Sequence, residues 1–229
     1  MVEDALALPL QVRWLGKVRY QDALAVQKSL FEASPENYLL LLEHSHVFTL
    51  GVNGDESNIL VDPSKIGAEV VRIKRGGDVT YHGPGQLVGY PILTVPGKRG
   101  GGMADTSAYI NSVEQVIIDA LEELGLPNCG RISKYPGVWV DPNGHSPRKV
   151  AAIGVRLSRG RSMHGFAINI KPDMSYFDAI VPCGIKEMEV TSLKQEGLDL
   201  DLREVTDAIS EFAAARWSEG RLERADVAW

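Results

Sequence analysis

Arg75-Gly76-Gly77-Asp78-Val79-Thr80-Tyr81-His82-Gly83-Pro84-Gly85-Gln86 is unlike generic core, helix or surface sequence. Four glycines and a proline let its backbone take positive φ and approach another group closely, while Arg75, Thr80, Tyr81, His82 and Gln86 crowd the bend with hydrogen-bonding side chains. A plain glycine-rich connector would carry the glycines without that density of polar groups, so the stretch reads as a recognition loop. It contains no Gly-x-x-x-x-Gly-Lys-Ser/Thr, and no Gly-x-Gly-x-x-Gly opening a helix, so neither familiar phosphate loop fits. Glu69-Val70-Val71-Arg72-Ile73-Lys74 before it and Leu87-Val88-Gly89-Tyr90-Pro91-Ile92-Leu93 after it both read as strands. The loop therefore lies between strands, and the fold around it is built on a sheet.

Outward from the loop, strands outnumber helices. Leu10, Val12 and Trp14 alternate with polar residues as a half-buried strand does, and the unbroken Tyr38–Leu42 run predicts a central strand ending at Glu43-His44-Ser45-His46. Val47–Gly51 extends that strand or bends away. A helix over 21–33 places Ala23, Val26, Leu30 and Phe31 on one face and stops at Ser34-Pro35. The clearest helix has the stripe Tyr109, Ile110, Val113, Val116, Ile117, Ala120, Leu121 and Leu124, with Asp105 or Thr106 as cap and Gly125 as its left-handed stop. Asp141-Pro142-Asn143-Gly144 and Ser158-Arg159-Gly160-Arg161 mark hairpins, and a last helix from Leu202 to Ser218 is capped by Asp201. Hairpin-linked strands with few helices predict an α/β domain with a mixed, largely antiparallel sheet.

Composition narrows the partners. At 229 residues, 44% apolar and 24% charged, the chain reads as one soluble globular domain over 1–229. A net charge of −6 argues against a broad nucleic-acid footprint. No basic, apolar leader opens the sequence, and no stretch approaches the roughly 20 apolar residues of a membrane span, so a cytoplasmic location is expected. Cys129 and Cys183 can pair, but free thiols are expected in a reducing compartment. Lys98-Arg99, among the glycines of 97–102, read as the charges of a mobile surface loop.

Two residues are candidates for chemistry. Cys183 lies between Pro182 and Gly184, on a constrained loop and not in an apolar element where inert thiols sit. Lys149 opens the apolar strand Val150-Ala151-Ala152-Ile153-Gly154, where partial desolvation disfavours its charged form and lets it exchange protons nearer neutrality; an ordinary edge lysine is the alternative. Should the two face each other, the ammonium stabilises the thiolate and the amine takes a proton from an incoming nucleophile. His82 and His164, each beside a glycine, either orient the thiol, line a ligand channel or serve as structural histidines. His44 and His46 have no third ligand at metal-site spacing, and a site built from His82, His164 and Cys183 is a further idea. Small residues at Ala151, Ala152, Gly154, Gly165 and Ala167 leave a narrow apolar slot suited to an unbranched chain.

Taken in order, Arg75–Gln86, Lys149–Gly154, His164-Gly165-Phe166-Ala167 and Pro182-Cys183-Gly184-Ile185 resemble bacterial octanoyltransferases, the lipoyl(octanoyl) transferases of lipoic-acid biosynthesis. The resemblance implies the fold of the catalytic modules of biotin and lipoate protein ligases. It implies octanoyl-acyl carrier protein as donor and, as acceptors, lysines on lipoyl domains of 2-oxoacid dehydrogenase complexes and on the glycine cleavage H protein. It makes Cys183 the thioester-forming nucleophile and Lys149 its acid/base partner. Arg75, Gly76, Gly77, Asp78, Val79, Thr80, Tyr81, His82, Ala152, Ile153, Gly154, Gly165, Phe166 and Ala167 would border the acyl chain and thioester, with His164 in support. No cofactor, metal, nucleic acid or membrane is implied, and a monomer is expected. The Lys98–Gly102 and Asp141–Arg148 segments depart from shorter family members. An ATP-dependent lipoate ligase of the same fold is the nearest rival, against which the Pro-Cys-Gly loop argues; a non-catalytic acyl- or lipoyl-domain-binding module is the other.

Overall fold

The computed structural model describes residues 8–97, 103–181 and 189–227, so Lys98–Gly102 and the Pro182–Ile185 motif with Cys183 lie outside the described residues. β1 (Leu10–Val18) is followed by α1 (Tyr20–Ala33), and the chain returns as β2 (Tyr38–His44), parallel to β1. Leu39 and Leu41 point to one side of β2, Leu40 and Leu42 to the other, and all four are buried. That two-sided burial is why the run shows no polar alternation.

β3 (Val47–Leu50) bends away and founds a second, three-stranded sheet with β4 (Glu69–Arg72) parallel and β5 (Val79–His82) antiparallel to it. The recognition stretch is thus not one loop, because β5 runs through it. Its Val79 and Tyr81 pack with Phe48 and Leu50, and that burial holds the segment extended. β6 (Gln86–Ile92) then rejoins the large sheet antiparallel to β2.

α2 (Thr106–Glu123) is capped by Asp105, whose carboxylate accepts the Ala108 N–H at 3.1 Å, and Gly125 takes φ +93° beyond its end. β7 (Cys129–Ile132), β8 (Tyr135–Val140), β9 (Arg148–Ser158) and β10 (Arg161–Asn169) form an antiparallel ladder. Its β9–β10 turn places Arg159 and Gly160 at φ +52° and +72°, the conformation that matches strand twist in a two-residue hairpin. After the short α3 (Ser175–Asp178), β11 (Glu189–Val190) pairs parallel with β9. α4 (Leu202–Trp217) opens with a capping box between Asp201 and Glu204, and β12 (Leu222–Asp226) ends parallel to β1.

The large sheet runs β12-β1-β2-β6-β10-β9-β8-β7, with β11 attached to β9, and is the mixed, largely antiparallel sheet expected. α2 and α4 cover one face through Val113, Ile117, Leu121, Val205, Ile209 and Ala213. α1 covers the other largely with the expected face: Ala23 is buried and Leu30 and Phe31 pack against the sheet, whereas Val26 is 40% exposed and Tyr20 and Gln27 turn inward as well. Gln27 is drawn in because its Oε1 accepts the His164 backbone N–H at 3.0 Å. Among the described residues no helix is long and apolar enough to cross a membrane.

Candidate active site

A cleft whose atom-free space, part of it open solvent, is about 560 Å³ lies between the small sheet and the α1 face of the large one. One wall is Arg75 to Thr80 with His82; the other is Ala152, Ile153 and Gly154 of β9 with His164, Gly165, Phe166 and Ala167 of β10. Cross-strand pairing sets Ala152 against Ala167 and Gly154 against Gly165, so small side chains lie side by side on one face. Lys149, Tyr20, Tyr90 and Pro136 complete the lining. Two expected members are elsewhere. Ala151 packs in the core cluster shared with α2, and Tyr81 alternates to the far side of β5, where its ring stacks 4.8 Å from Tyr176 and its hydroxyl shares a hydrogen bond with His46 Nδ1 at 2.9 Å.

The loop is held by its own polar groups. Arg75 is buried; its Nη2 donates to the Thr49 carbonyl at 2.7 Å and the Thr49 hydroxyl at 2.9 Å, and Nη1 donates to the Gly76 carbonyl at 2.9 Å. Its stem lies so close to β9 that a Cβ on Gly154 would stand 2.9 Å from Arg75 Cδ. The Gly76 N–H donates to the Val155 carbonyl at 3.1 Å, which ties loop to strand. Asp78 accepts from Asn58 Nδ2 at 2.7 Å and from the Val79 N–H at 2.7 Å.

Lys149 is only 8% exposed, and its Nζ lies 4.7 Å from the centre of the Trp139 ring. A Cβ on Gly137, the partner of Ala152, would stand 3.3 Å from Lys149 Cε, so the side chain runs along β8 toward the slot. The chain on either side of residues 182–188 is anchored at this site: the Val181 N–H donates to the Asn58 carbonyl at 2.8 Å, and Val190 pairs with Lys149. Cys183 itself, and with it the Lys149–Cys183 separation, lies outside the described residues. Cys129 sits half-buried in β7, where burial pushes its thiol up to about 11.

Buried imidazoles and phenols cluster at and behind the cleft, and burial favours their neutral forms. His44 Nδ1–H donates to the Val18 carbonyl at 2.7 Å, which leaves Nε2 to accept the Tyr90 hydroxyl at 2.7 Å. Burial lowers His44 to about 4; burial, then the neighbouring His44 ring and the Arg75 cation, lower His82 to about 3. His164 falls to about 4 by burial and by Arg75, and burial raises Tyr20 to about 12. Among the described residues no three His, Cys, Asp or Glu side chains are grouped to hold a metal ion. Tyr20, Tyr90, Pro136 and Thr49 are not among the residues expected at the site. Only Tyr20 had a local signal, standing with Ala23, Gln27 and Leu30 on one helical stripe.

A narrow small-residue slot thus meets a buried lysine and is walled by a glycine-rich polar loop, on a mixed sheet covered by helices on both faces. The chain belongs to the family described as the lipoyl protein ligase A/B catalytic domain, matched over residues 19–214. It is similar to the octanoyltransferase of Solibacter usitatus, 44% identical over 210 residues that cover 89% of this chain and 90% of that one. The octanoyltransferase of Bacteroides fragilis is 41% identical over 217 residues, covering 93% and 96%. That of Myxococcus xanthus is 44% identical over 205 residues, 86% of this chain but 56% of the longer protein. Among solved structures, the bipartite lipoate protein ligase of Thermoplasma acidophilum superposes with a TM-score of 0.77 at 15% identity, covering 96% of this chain and 88% of that one. A lipoate-protein ligase A bound with ATP gives 0.77 at 15%, covering 96% and 90%. At that identity the two ligases share the fold with this chain.

Proposed function

We propose that this chain is an octanoyltransferase of lipoate biosynthesis, carrying an octanoyl group from an acyl carrier protein thioester to a lysine of a lipoyl domain. The reading takes residues 1–229 as one monomeric catalytic unit. The Cys183 thiolate attacks the donor carbonyl, a new C–S bond forms, the donor C–S bond breaks, and the Lys149 ammonium delivers a proton to the departing thiolate. The acceptor amine then attacks octanoyl-Cys183; the C–N bond forms, the C–S bond breaks, and Lys149 removes the ammonium proton. Exchange between thioesters is nearly balanced and amide formation is downhill, so the cycle needs no ATP.

The observation that carries this reading is the placement of Lys149. It is buried at the slot, and the strand that follows the Cys183 segment pairs with it directly. Relatives that share 39–44% identity and the name octanoyltransferase support the same substrate. Small residues along β9 and β10 suit an unbranched chain, and the buried Arg75 cation in the wall favours developing negative charge on a thioester oxygen.

The test is intact-mass spectrometry after incubation with octanoyl-acyl carrier protein alone. One octanoyl increment is expected, retained by Cys129→Ala and lost in Cys183→Ala. No increment on the wild type, or one that survives Cys183→Ala, refutes the mechanism. Pyrophosphate release from ATP and free lipoate would place the chain with the ligases instead.

A further inference from the structure

Two adjacent buried side chains, His164 at the slot and Gln27 behind it, each keep a polar atom without a partner among the described residues. His164 is 3% exposed and Gln27 0%, and neither His164 Nδ1 nor Gln27 Nε2 has a hydrogen-bond partner among the described residues. Gln27 Oε1 already accepts the His164 backbone N–H at 3.0 Å, so Gln27 fixes the backbone that carries the ring. His164 also carries φ +58°, a conformation that costs a non-glycine residue energy and persists only where its surroundings enforce it. Its cross-strand partner Val155 packs in the core cluster, yet His164 lines the cleft, so the kink turns the imidazole out of strict alternation into the slot.

The distances suit a stop. The Lys149 side chain reaches the level of Gly137 and its partner Ala152, while His164 pairs with Val155. Three strand residues separate those levels, about 10 Å at about 3.3 Å each. At about 1.2 Å per bond, the extension of an outstretched backbone, an octanoyl group needs about 8 Å and a dodecanoyl group about 13 Å. The shorter chain fits between amine and imidazole. The longer one must displace the ring or bury its nitrogen against hydrocarbon with no hydrogen bond in exchange.

We propose that His164, braced by Gln27, closes the end of the acyl slot remote from Lys149 and sets the length of chain the enzyme accepts, a specificity role that rests on the octanoyl-transfer reading. The test is kcat/KM for acyl-carrier-protein thioesters of eight to fourteen carbons on the wild type, His164→Gly and Gln27→Leu. Glycine keeps the left-handed backbone without strain and removes the ring. In the wild type the twelve-carbon donor should be at least about tenfold poorer than the eight-carbon one; His164→Gly should raise that ratio at least about fivefold, and Gln27→Leu should move it the same way. A purely structural role would lower all chain lengths together and leave the ratio fixed. A smaller wild-type discrimination overturns the proposal whether or not the variants fold, as does a fixed ratio in a folded His164→Gly. No transfer from any donor overturns the octanoyl-transfer reading and this one with it.

Discussion

Thr49→Val removes a single oxygen from beneath the buried Arg75 cation while leaving the side-chain volume nearly unchanged. The Thr49 hydroxyl accepts Arg75 Nη2 at 2.9 Å and Nε at 3.3 Å, and the Thr49 carbonyl, which valine keeps, accepts Nη2 at 2.7 Å. The substitution therefore deprives Nε of that acceptor and Nη2 of one of two. A hydrogen bond to a charged group contributes about 1.5–3 kcal/mol, and the longer contact adds little, so a loss of about 2–3 kcal/mol is expected. With a urea slope of about 2 kcal/mol per molar, the midpoint should fall by about 1–1.5 M. Because Arg75 also packs over Gly154 and holds the loop wall, octanoyl transfer should fall with stability. The decisive measurement is the same substitution in an Arg75→Met background, where its cost should shrink below about 0.5 kcal/mol since no cation remains to be left short of an acceptor. Equal costs in both backgrounds would refute the reasoning, because the hydroxyl would then be acting on something other than Arg75.

Acid should destabilise the fold through its buried imidazoles. His44, His82 and His164 have folded pKa values below 6.5, at about 4, 3 and 4, so each contributes stability that is complete above pH 6.5 and drains as pH falls toward the folded value. Each contributes a slope of up to about 1.4 kcal/mol per pH unit in that window; urea titrations at pH 7, 6 and 5 should show His44→Gln losing one such contribution, and an unchanged slope would count against it. Gly89→Ala should destabilise by about 1–3 kcal/mol, because the new Cβ would lie 2.1 Å from Phe166 Cζ and force the ring aside. Phe166→Leu in the same protein should recover part of that loss in thermal melts, and an additive effect of the two changes would argue that the ring is not what the methyl meets.

Legibility in this chain follows the range of the cause. The α2 stripe, the Asp201 capping box, the hairpin turns and the small residues of β9 and β10 depend on neighbours within a few positions, and each is readable as periodicity or turn chemistry. The departure of β3 into a second sheet, the parallel docking of β12 on β1 and the approach of Tyr20 and Tyr90 to the cleft depend on which distant strand lies alongside, and no local pattern encodes that. Tyr81 shows how a recognition motif conceals its own geometry. Read as a run, Thr80-Tyr81-His82 offers three ligand groups, but once β5 forms, Tyr81 must face opposite to its neighbours and joins the core of the small sheet.

Gln27 teaches the converse. A helix face chosen by apolarity alone favours Val26, whereas the spacing Tyr20, Ala23, Gln27, Leu30 admits one polar residue on the stripe. A polar group is carried into a core at a cost unless something there binds it, and the backbone of His164 does. A polar interruption on an otherwise apolar stripe therefore marks where the helix touches the site. In this chain that point is the end of the slot remote from Lys149, where the bend of β10 turns a ring across the path of the acyl chain.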